Sequence, residues 1–295
     1  MAEIIDGKRV SAEFLEEIKL KVETAEKKYG KKPCLVVILV GENPASKVYV
    51  GSKEKRAQEI GFNSSVVRLS TETTAVELEA KINELNNDDN VDGVLLQLPL
   101  PKGLNGDEFV GKISPEKDVD GFHPQNLGKL MTNTNPNAVA CTPLGVIKLL
   151  EKYGVEVEGK NCVVVGRSNI VGKPLAQLLL NLNGTVTVAH SRTKNLQEVT
   201  RSADILISAV GCKNLITKDM VKKGAVVADV GILKDENGKL CGDVDFENVK
   251  EVASLITPVP GGVGPMTIAC LMSNTLDLFL RKQEMHPGVA EQMKC

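Results

Sequence analysis

The fold is decided by the stretch CVVVGRSNIVGKP, residues 162–174. The apolar run at residues 162–165 predicts a buried strand. Gly166 lets the chain turn tightly off that strand, and Gly172 allows a close backbone approach where the next helix begins. Free backbone N–H groups and the helix dipole at such a turn favour a phosphate. The spacing is GxxxxxG rather than GxGxxG, so an ordinary strand-to-helix turn is the alternative interpretation.

Strands and helices alternate on both sides of this stretch. Short β-branched runs predict strands at residues 33–40, 65–69, 91–96, 161–165, 185–189, 204–208, 225–230 and 254–256. Helices with periodic apolar positions separate most of them. This alternation, with strands that are apolar throughout, predicts parallel sheets and an α/β fold. Two separate alternations in a chain of 295 residues predict two domains.

The division between the two domains follows from a break in this rhythm. Residues 103–142 are rich in Pro, Gly, Asn and Asp, and we expect a long functional loop there. The last long helix is predicted at residues 267–281, with Pro265 just before its start and a loose tail after His286. We therefore predict an N-terminal α/β domain, a Rossmann-like domain, and a last helix that returns to the first domain. The predicted bounds are 1–140 plus 267–295 for the first domain and 141–266 for the second.

Composition narrows the possible functions. The formal net charge is -2, which creates no general field to attract nucleic acid or an anionic membrane. Aromatic residues make up only 3%, which argues against stacking platforms for single-stranded nucleic acid. The amino terminus resembles no secretory signal, and the most apolar runs are too short to span a bilayer. Seven scattered cysteines without a CxxC pair fit a reducing compartment, and we expect no metal site.

The end of the strand after the glycine loop bears on the choice of dinucleotide. It reads Ser191-Arg192-Thr193, where a fold specific for NAD usually has an acidic residue that holds the ribose 2′-hydroxyl. Arg192, with Arg167 in the glycine loop, is instead suited to clamp a 2′-phosphate, which predicts NADP. A solvent-facing basic turn is the alternative interpretation.

A lysine lies on the apolar face of the helix predicted at residues 45–60. At about 100° per residue, Lys53 falls between Ile60 and Ala57 on this face, one turn after Tyr49. Burial disfavours the ammonium form, so such a lysine is suited to proton transfer. The alternative is a lysine whose stem packs on the core while its amino group reaches water. A Tyr-x-x-x-Lys pair also occurs in short-chain dehydrogenases, but there it follows the dinucleotide loop, whereas here it precedes it.

Five blocks stand out along the chain: PASKVYVGSK (44–53), GVLLQLPLP (93–101), PEKDVDGF (115–122), GRSNIVG (166–172) and TPVPGGVGPMT (257–267). In this order they resemble the methylenetetrahydrofolate dehydrogenase/cyclohydrolase family of the bacterial FolD type. The resemblance runs nearly from end to end, and no family site residue departs from the pattern. It implies a folate-binding catalytic first domain and an NADP-binding second domain.

The resemblance also implies roles for individual residues. Lys53 would move protons, and Tyr49 would pack beside the folate. Gln97 would hydrogen-bond Lys53 and tune it. Asp120 would accept hydrogen bonds from the pterin amino group. Without the resemblance, Gln97 and Asp120 would be interpreted as turn residues and residues 258–266 as a linker.

The remaining implied contacts fall into two sets. The implied folate contacts are Tyr49, Lys53, Leu96, Gln97, Leu98, Asp120, Pro258, Gly261, Gly262 and Pro265. The implied NADP contacts are Gly166, Arg167, Ser168, Ile170, Gly172, Ser191, Arg192, Thr193, Gly211 and Ile232. Gly211 and Ile232 would end strands beside the nicotinamide half, since open α/β sheets bind ligands at the carboxyl ends of their strands.

The implied activity has two steps in one-carbon metabolism, in support of purine biosynthesis. A hydride passes from 5,10-methylenetetrahydrofolate to NADP+, and water then opens the methenyl product to 10-formyltetrahydrofolate. A cytoplasmic homodimer that binds tetrahydrofolate derivatives, and neither nucleic acid nor membrane, is the implied setting. The alternatives are a dehydrogenase without cyclohydrolase activity and a non-catalytic folate or dinucleotide sensor. An ATP-dependent synthetase is disfavoured, because the chain has no GxxxxGK[ST] loop.

Overall fold

The structure, a computed structural model, describes residues 1–285. In chain order its elements are β1 (Glu3–Ile4), α1 (Gly7–Tyr29), β2 (Cys34–Val40), α2 (Pro44–Glu59), β3 (Asn63–Leu69), α3 (Ala75–Asn87), β4 (Gly93–Leu96), α4 (Gly106–Val110), α5 (Pro124–Met131), α6 (Cys141–Lys152), β5 (Asn161–Val165), α7 (Gly172–Asn181), β6 (Thr185–Ala189), α8 (Leu196–Arg201), β7 (Ile205–Ser208), a 3-10 helix (Lys218–Met220), β8 (Val226–Asp229), β9 (Leu233–Lys234), β10 (Leu240–Cys241), α9 (Phe246–Val249), β11 (Leu255–Ile256) and α10 (Val263–Met285). Helices and strands therefore alternate along both halves of the chain, as the sequence predicts.

The chain forms two compact units. The first unit contains Met1–Glu13 and Ala140–Cys270, and the second contains Phe14–Val139 with the described residues from Leu271 onward. This grouping differs from the predicted division at the amino end. The reason is that β1 pairs in parallel with β11, with Glu3 opposite Leu255, so the first residues join the first unit.

The second unit is built on a three-stranded parallel sheet in the order β3-β2-β4. The central strand β2 is buried along nearly its whole length, as expected for a parallel strand covered on both faces. Helix α3 begins at a capping box formed by Thr74 and Glu77 and buries the stripe Leu78, Ile82 and Leu85. This stripe joins the core that β2 and β4 supply, and the core fixes the carboxyl ends of both strands.

The first unit is built on a six-stranded parallel sheet in the order β1-β11-β8-β7-β5-β6. Its core includes Val163 and Val165 of β5, Leu206 of β7 and Val227 of β8, which are all buried. Because these strands run in parallel, the loops that follow them leave from one edge of the sheet. This is the doubly covered α/β arrangement that the sequence predicts.

The carboxyl-terminal part of α10 packs in the second unit. Asn274 Nδ2 donates to the carbonyl oxygens of Val119 and Val139, both at 2.8 Å. The rings of Phe279 and Tyr29 meet edge to face with centroids 6.1 Å apart. These contacts confirm the prediction that the last helix returns to the first domain.

Two local predictions are wrong. Residues 103–142 contain α4 and α5 as well as the start of α6, although they were expected to form one long loop. Both helices are short and capped by side chains, Asn105 for α4 and His123 for α5, so no long apolar period marks them in the sequence. Pro265 lies inside the first turn of α10, not before it. Proline is tolerated there because the backbone N–H groups of the first turn have no partner within the helix.

Helix α10 is also long and apolar enough to cross a membrane, by length and composition alone. Of its most apolar window, 61% is buried inside the protein, as is usual for a core helix. Buried core side chains such as Leu276, Leu278 and Phe279 account for this apolar composition.

Candidate active site

A lysine and a glutamine meet at the carboxyl end of β4 in the second unit. Lys53 Nζ donates to Gln97 Oε1 at 3.0 Å. Gln97 Nε2 in turn donates to the carbonyl oxygen of Leu98 at 2.6 Å, which orients the amide so that its oxygen faces the lysine. The structure thus confirms the hydrogen bond that the resemblance implies. Among residues 1–285, no carboxylate forms an ion pair with Lys53, so its remaining N–H groups are available to a ligand.

Helix α2 positions this lysine. Asn43 caps the helix, because its Oδ1 accepts from the backbone N–H groups of Ala45 and Ser46 at 2.9 and 3.1 Å. The buried face of α2 carries Val50 and Ala57, and Lys53 is half-buried on the same face. Lys53 therefore lies on the apolar side of α2, as the helical wheel predicts, but its side chain is half-buried and not fully buried.

Tyr49 lies one turn before Lys53, at the exposed border of the buried face. Its side chain is 47% exposed, so a flat ligand can stack on the ring without displacing core residues. The two implied leucine contacts differ. Leu96 is 2% exposed and belongs to the core, so it presents almost no surface to a ligand, contrary to the implied contact. Leu98 is half-buried and follows Gln97 directly, with a cis peptide bond to Pro99.

Asp120 comes just after an isolated bridge to β4. Val94 N donates to the carbonyl oxygen of Lys117 at 2.8 Å, and Val94 forms a parallel bridge with Asp118. Asp120 follows this bridge within a turn and is half-buried. The bridge places the start of this turn beside β4, in the same unit as the lysine–glutamine pair.

Sequence reasoning missed the residue that shapes this segment. Asp118 is buried, and its carboxylate accepts from the backbone N–H groups of Phe122 and His123 at 3.3 and 2.8 Å and from Asn126 Nδ2 at 2.9 Å. Burial raises the pKa of the Asp118 carboxyl, while these three donors oppose the rise. The available signal was an aspartate two residues before Asp120, at the start of the predicted turn.

The implied folate contacts at residues 258–265 lie in the first unit. Gly261 has φ +107 and carries the side chain of Lys8 against it, and its carbonyl oxygen accepts from the Lys8 backbone N–H at 3.1 Å. Gly262 is buried, and a Cβ on Gly7 would lie 1.8 Å from its carbonyl oxygen. The segment is thus packed against the start of α1 within the first unit, and it is not a free linker.

The glycine loop after β5 has the geometry of a phosphate cradle. Gly166 has φ +126, and a Cβ there would lie 2.4 Å from the carbonyl oxygen of Ala209. A Cβ on Gly172 would lie 2.2 Å from the carbonyl oxygen of Gly166, so both positions require glycine. Within the part of the chain that the structure describes, the backbone N–H groups of residues 167–170 donate to no acceptor. Four such donors before the start of α7 fit an anionic phosphate.

Side chains complete this loop. Ser168 Oγ accepts from the backbone N–H groups of Val171 and Gly172 at 3.2 and 3.4 Å, so Ser168 closes the turn into the helix. Arg167 is exposed, and Ile170 is 39% exposed. Both side chains therefore remain accessible to a cofactor.

The turn after β6 presents Ser191 and Arg192 to solvent. The half-buried Thr193 closes this turn, because its Oγ1 accepts from the His190 backbone N–H at 2.9 Å. His190 Nδ1 accepts from the Arg192 backbone N–H at 3.1 Å. Within residues 1–285 the Arg192 guanidinium makes no ion pair, so it is free to bind a phosphate. His190 is a second residue that sequence reasoning missed.

Gly211 and Ile232 lie in the loops that follow β7 and β8. Gly211 has φ +75 and is exposed, and Ile232 is 47% exposed. Both loops leave from the edge of the sheet that also carries the glycine loop, because β5, β7 and β8 are parallel neighbours. All residues predicted to contact the cofactor thus lie in the first unit, whereas Lys53, Tyr49, Gln97 and Asp120 lie in the second.

A parallel sheet with a glycine-built phosphate loop, together with a second unit in which a helical lysine is bonded to a glutamine at a strand end, defines a dinucleotide-dependent α/β enzyme. Comparison with known proteins gives the family. The chain belongs to the tetrahydrofolate dehydrogenase/cyclohydrolase family, whose catalytic domain matches residues 5–120 and whose NAD(P)-binding domain matches residues 140–283. This confirms the resemblance found in the sequence blocks.

Similar proteins extend over nearly the whole chain. The bifunctional protein FolD of Streptococcus agalactiae is 54% identical over 281 residues, which cover 95% of this chain and 99% of that protein. The crystal structure of the bifunctional FolD enzyme of Campylobacter jejuni has a TM-score of 0.93 at 51% identity, covering 95% of this chain and 100% of that chain. A Trypanosoma brucei methylenetetrahydrofolate dehydrogenase-cyclohydrolase, complexed with NADP cofactor and inhibitor, has a TM-score of 0.91 at 40% identity, covering 95% and 98%.

Proposed function

We propose that this chain oxidises 5,10-methylenetetrahydrofolate to the 5,10-methenyl compound with NADP+ and then hydrolyses that compound to 10-formyltetrahydrofolate. The observation that carries the proposal is the hydrogen bond of 3.0 Å between Lys53 Nζ and Gln97 Oε1, within the catalytic domain of the family. A chain that only oxidised its substrate would have no need of a positioned amine for proton transfer. Retention of both residues therefore favours two activities over one.

The first step is oxidation of the methylene carbon, for which bound NADP+ would supply the hydride acceptor. The protein contributes alignment. The N–H groups of residues 167–170, which have no acceptor in the described residues, would hold the phosphates. Tyr49, whose ring is exposed, would stack on the pterin, and Asp120 would accept its amino hydrogens. No side chain needs to gain or lose a proton in this step.

In the second step water attacks the methenyl carbon and the ring opens. This step requires proton transfer from the attacking water and to the departing ring nitrogen. Lys53 is the basic side chain at the carboxyl end of β4, and its bond to Gln97 holds the amino group in one place. We assign the proton transfers to Lys53 and the positioning of its amino group to Gln97.

The preference for NADP over NAD rests on Arg192, with Arg167 as its partner. Both guanidinium groups are exposed, and the turn that carries Arg192 is fixed by His190. An arginine suits a 2′-phosphate, because its planar donors match phosphate oxygens. The strand-end sequence Ser191-Arg192-Thr193 contains no carboxylate that would repel this phosphate.

We also propose a homodimer, supported by the free edge of β6. Among the described residues this strand pairs only with β5, and Val188 on it is 38% exposed. Leu180 and Leu182, at the end of the neighbouring helix α7, are 53% and 38% exposed. An exposed apolar edge strand is a surface that proteins usually cover, and a second copy of the chain is the proposed cover. Size-exclusion chromatography with light scattering tests this: a monomer at micromolar concentration contradicts the dimer.

The proposed setting is the cytoplasm, in the one-carbon reactions that support purine biosynthesis, with tetrahydrofolate derivatives as partners and neither nucleic acid nor membrane. The net charge of -2 supports the last two points. The test of the main proposal is a rate measurement on the purified chain with 5,10-methylenetetrahydrofolate and either NADP+ or NAD+. We expect NADPH formation, a lower rate with NAD+, and hydrolysis of added methenyltetrahydrofolate. Dehydrogenase activity alone would establish the monofunctional alternative, and absence of both activities would favour a sensor.

A further inference from the structure

Two carboxylates are buried at the carboxyl ends of β7 and β8 in the first unit. Asp243 is 0% exposed and Asp229 is 3% exposed. Among residues 1–285, no lysine or arginine forms an ion pair with either of them. A buried charge without a counter-ion is costly, so both depend on hydrogen-bond donors from the surrounding loops.

Asp243 accepts hydrogen bonds from the loop that follows β7. Its Oδ2 accepts from Ser208 Oγ at 2.9 Å and from the Val210 backbone N–H at 2.7 Å. Its Oδ1 accepts from the Cys212 backbone N–H at 2.8 Å. These donors stand on both sides of Gly211, so one side chain determines the path of the loop through that residue.

Asp229 does the same for the loop that follows β8. Its Oδ1 accepts from the backbone N–H groups of Gly231 and Asp243, both at 3.0 Å. Its Oδ2 accepts from the Val244 backbone N–H at 2.9 Å. Gly231 is followed by Ile232, so the second loop is tied through Asp229 to the residue that holds the first.

Both carboxylates require glycine beside them. A Cβ on Gly231 would lie 2.3 Å from Asp243 Oδ1, and a Cβ on Gly242 would lie 2.0 Å from Asp229 Oδ2. The backbone therefore packs directly against each carboxylate, and hydrogen bonds join the loops after β7 and β8. Both loops lie at the carboxyl edge of the parallel sheet, where open α/β sheets bind their ligands.

We propose that Asp243, linked to Asp229, is a positioning residue that holds the loops after β7 and β8 in the shape that receives the nicotinamide half of NADP. The proposal rests on the proposed function, because it takes Gly211 and Ile232 as the nicotinamide contacts. Asp243 itself touches no reacting atom. It acts by fixing the backbone that does.

Disturbing the loop that contains Gly211 should affect the dehydrogenase activity and not the hydrolysis. Phosphate and adenosine contacts come from the glycine loop and Arg192, so NADP+ still binds when the loop of Gly211 is disturbed. The nicotinamide is then misplaced, and misplacement of about 1 Å costs roughly 100-fold in a hydride transfer. Hydrolysis of methenyltetrahydrofolate needs no hydride acceptor, so it is unaffected.

The test is Asp243→Asn. Asparagine has one acceptor oxygen, and its NH2 group would face the N–H of either Val210 or Cys212, so the loop loses an acceptor and meets a donor. We expect dehydrogenase kcat to fall about 30- to 100-fold, KM for NADP+ to change less than about threefold, and the rate on added methenyltetrahydrofolate to stay within about twofold of the parent. The matched control is Asp204→Asn on the same sheet. Asp204 accepts from the Asn161 backbone N–H at the opposite edge of this sheet, where the strands begin. Its substitution should alter neither the dehydrogenase rate nor the hydrolysis rate.

Parallel loss of both activities, or an unchanged dehydrogenase rate, would overturn the proposal, because a merely structural role lowers both rates together. If Asp243→Asn does not fold, Ser208→Ala is measured in its place. A loss of about three- to tenfold in dehydrogenase kcat alone supports the proposal. A dehydrogenase rate equal to that of the parent, or a parallel loss of both activities, overturns it. The parent chain is measured in the same assays. If it lacks either activity, the proposed function itself has failed; if it has both and the variants match it, only the role of Asp243 has failed.

Discussion

Replacing Lys53 by methionine should separate the two proposed activities. Methionine has a similar length and lacks the basic nitrogen, so the proton transfers of the hydrolysis step lose their carrier. General acid–base catalysis is usually worth 100-fold or more, and we expect methenyltetrahydrofolate hydrolysis to fall by at least about 100-fold. Dehydrogenase activity should fall less, because hydride transfer moves no proton to a side chain, and NADP binding should persist.

The structure indicates that this variant folds. The substitution removes one hydrogen bond of 3.0 Å to Gln97 Oε1, and the half-buried amide can exchange it for water, so the stability cost is at most about 1 kcal/mol. The new thioether lies on the face of α2 that already carries Val50 and Ala57, which offsets part of that cost.

The assay follows methenyltetrahydrofolate absorbance with the purified parent and variant. The matched control is Lys55→Met, the same change two residues later on α2. Lys55 is 78% exposed, and among residues 1–285 its only ion pair is with Glu59 at 3.9 Å, so this variant should hydrolyse at the parental rate. A folded Lys53→Met protein with unchanged hydrolysis would remove Lys53 from the mechanism.

Three further changes test the cofactor site and the buried carboxylates. Arg192→Ala should raise KM for NADP+ about 10- to 150-fold, the worth of a charge-assisted hydrogen bond, and leave KM for NAD+ nearly unchanged; equal effects on both cofactors would contradict the assignment. Gly172→Ala should abolish NADP binding in a calorimetric titration, because its Cβ would lie 2.2 Å from the Gly166 carbonyl oxygen; binding at parental affinity would show that the loop has another shape. Burial raises the pKa of the Asp229 carboxyl to about 6 in the folded protein, above its ordinary value, so the protonated carboxyl stabilises the folded state. This stabilisation is fully present below about pH 4 and is lost as the pH rises through about 6. We therefore measure the free energy of unfolding in urea for the parent and for Asp229→Asn, and take the difference between them. This difference should be about 1 kcal/mol smaller at pH 7 than at pH 5, and a difference independent of pH would contradict the raised pKa of Asp229.

Much of the fold could be predicted from the sequence, because long elements carry their own periodicity. β2 is apolar throughout, and α3 repeats apolar residues at helical spacing between clear capping signals. The elements that were missed are short and depend on partners far away in the chain. β1 contains two residues and exists because it pairs with β11, about 250 residues later, which no local pattern reveals.

The site divides in the same way. Lys53 and the glycine loop could be found from a helical wheel and from the spacing of Gly166 and Gly172, since both are local features. Asp118 and Asp243 could not, because each binds backbone N–H groups whose positions only the folded chain brings together. Buried aspartates of this kind look like ordinary turn residues in a sequence.

The most direct test of the two proposed activities is the stoichiometry of one reaction. The purified chain is incubated with 5,10-methylenetetrahydrofolate and excess NADP+, and NADPH, methenyltetrahydrofolate and 10-formyltetrahydrofolate are measured over time. We expect 10-formyltetrahydrofolate to form in an amount equal to NADPH, with little methenyl compound accumulating. Methenyltetrahydrofolate that accumulates with NADPH and decays only at its uncatalysed rate would contradict the two-step activity.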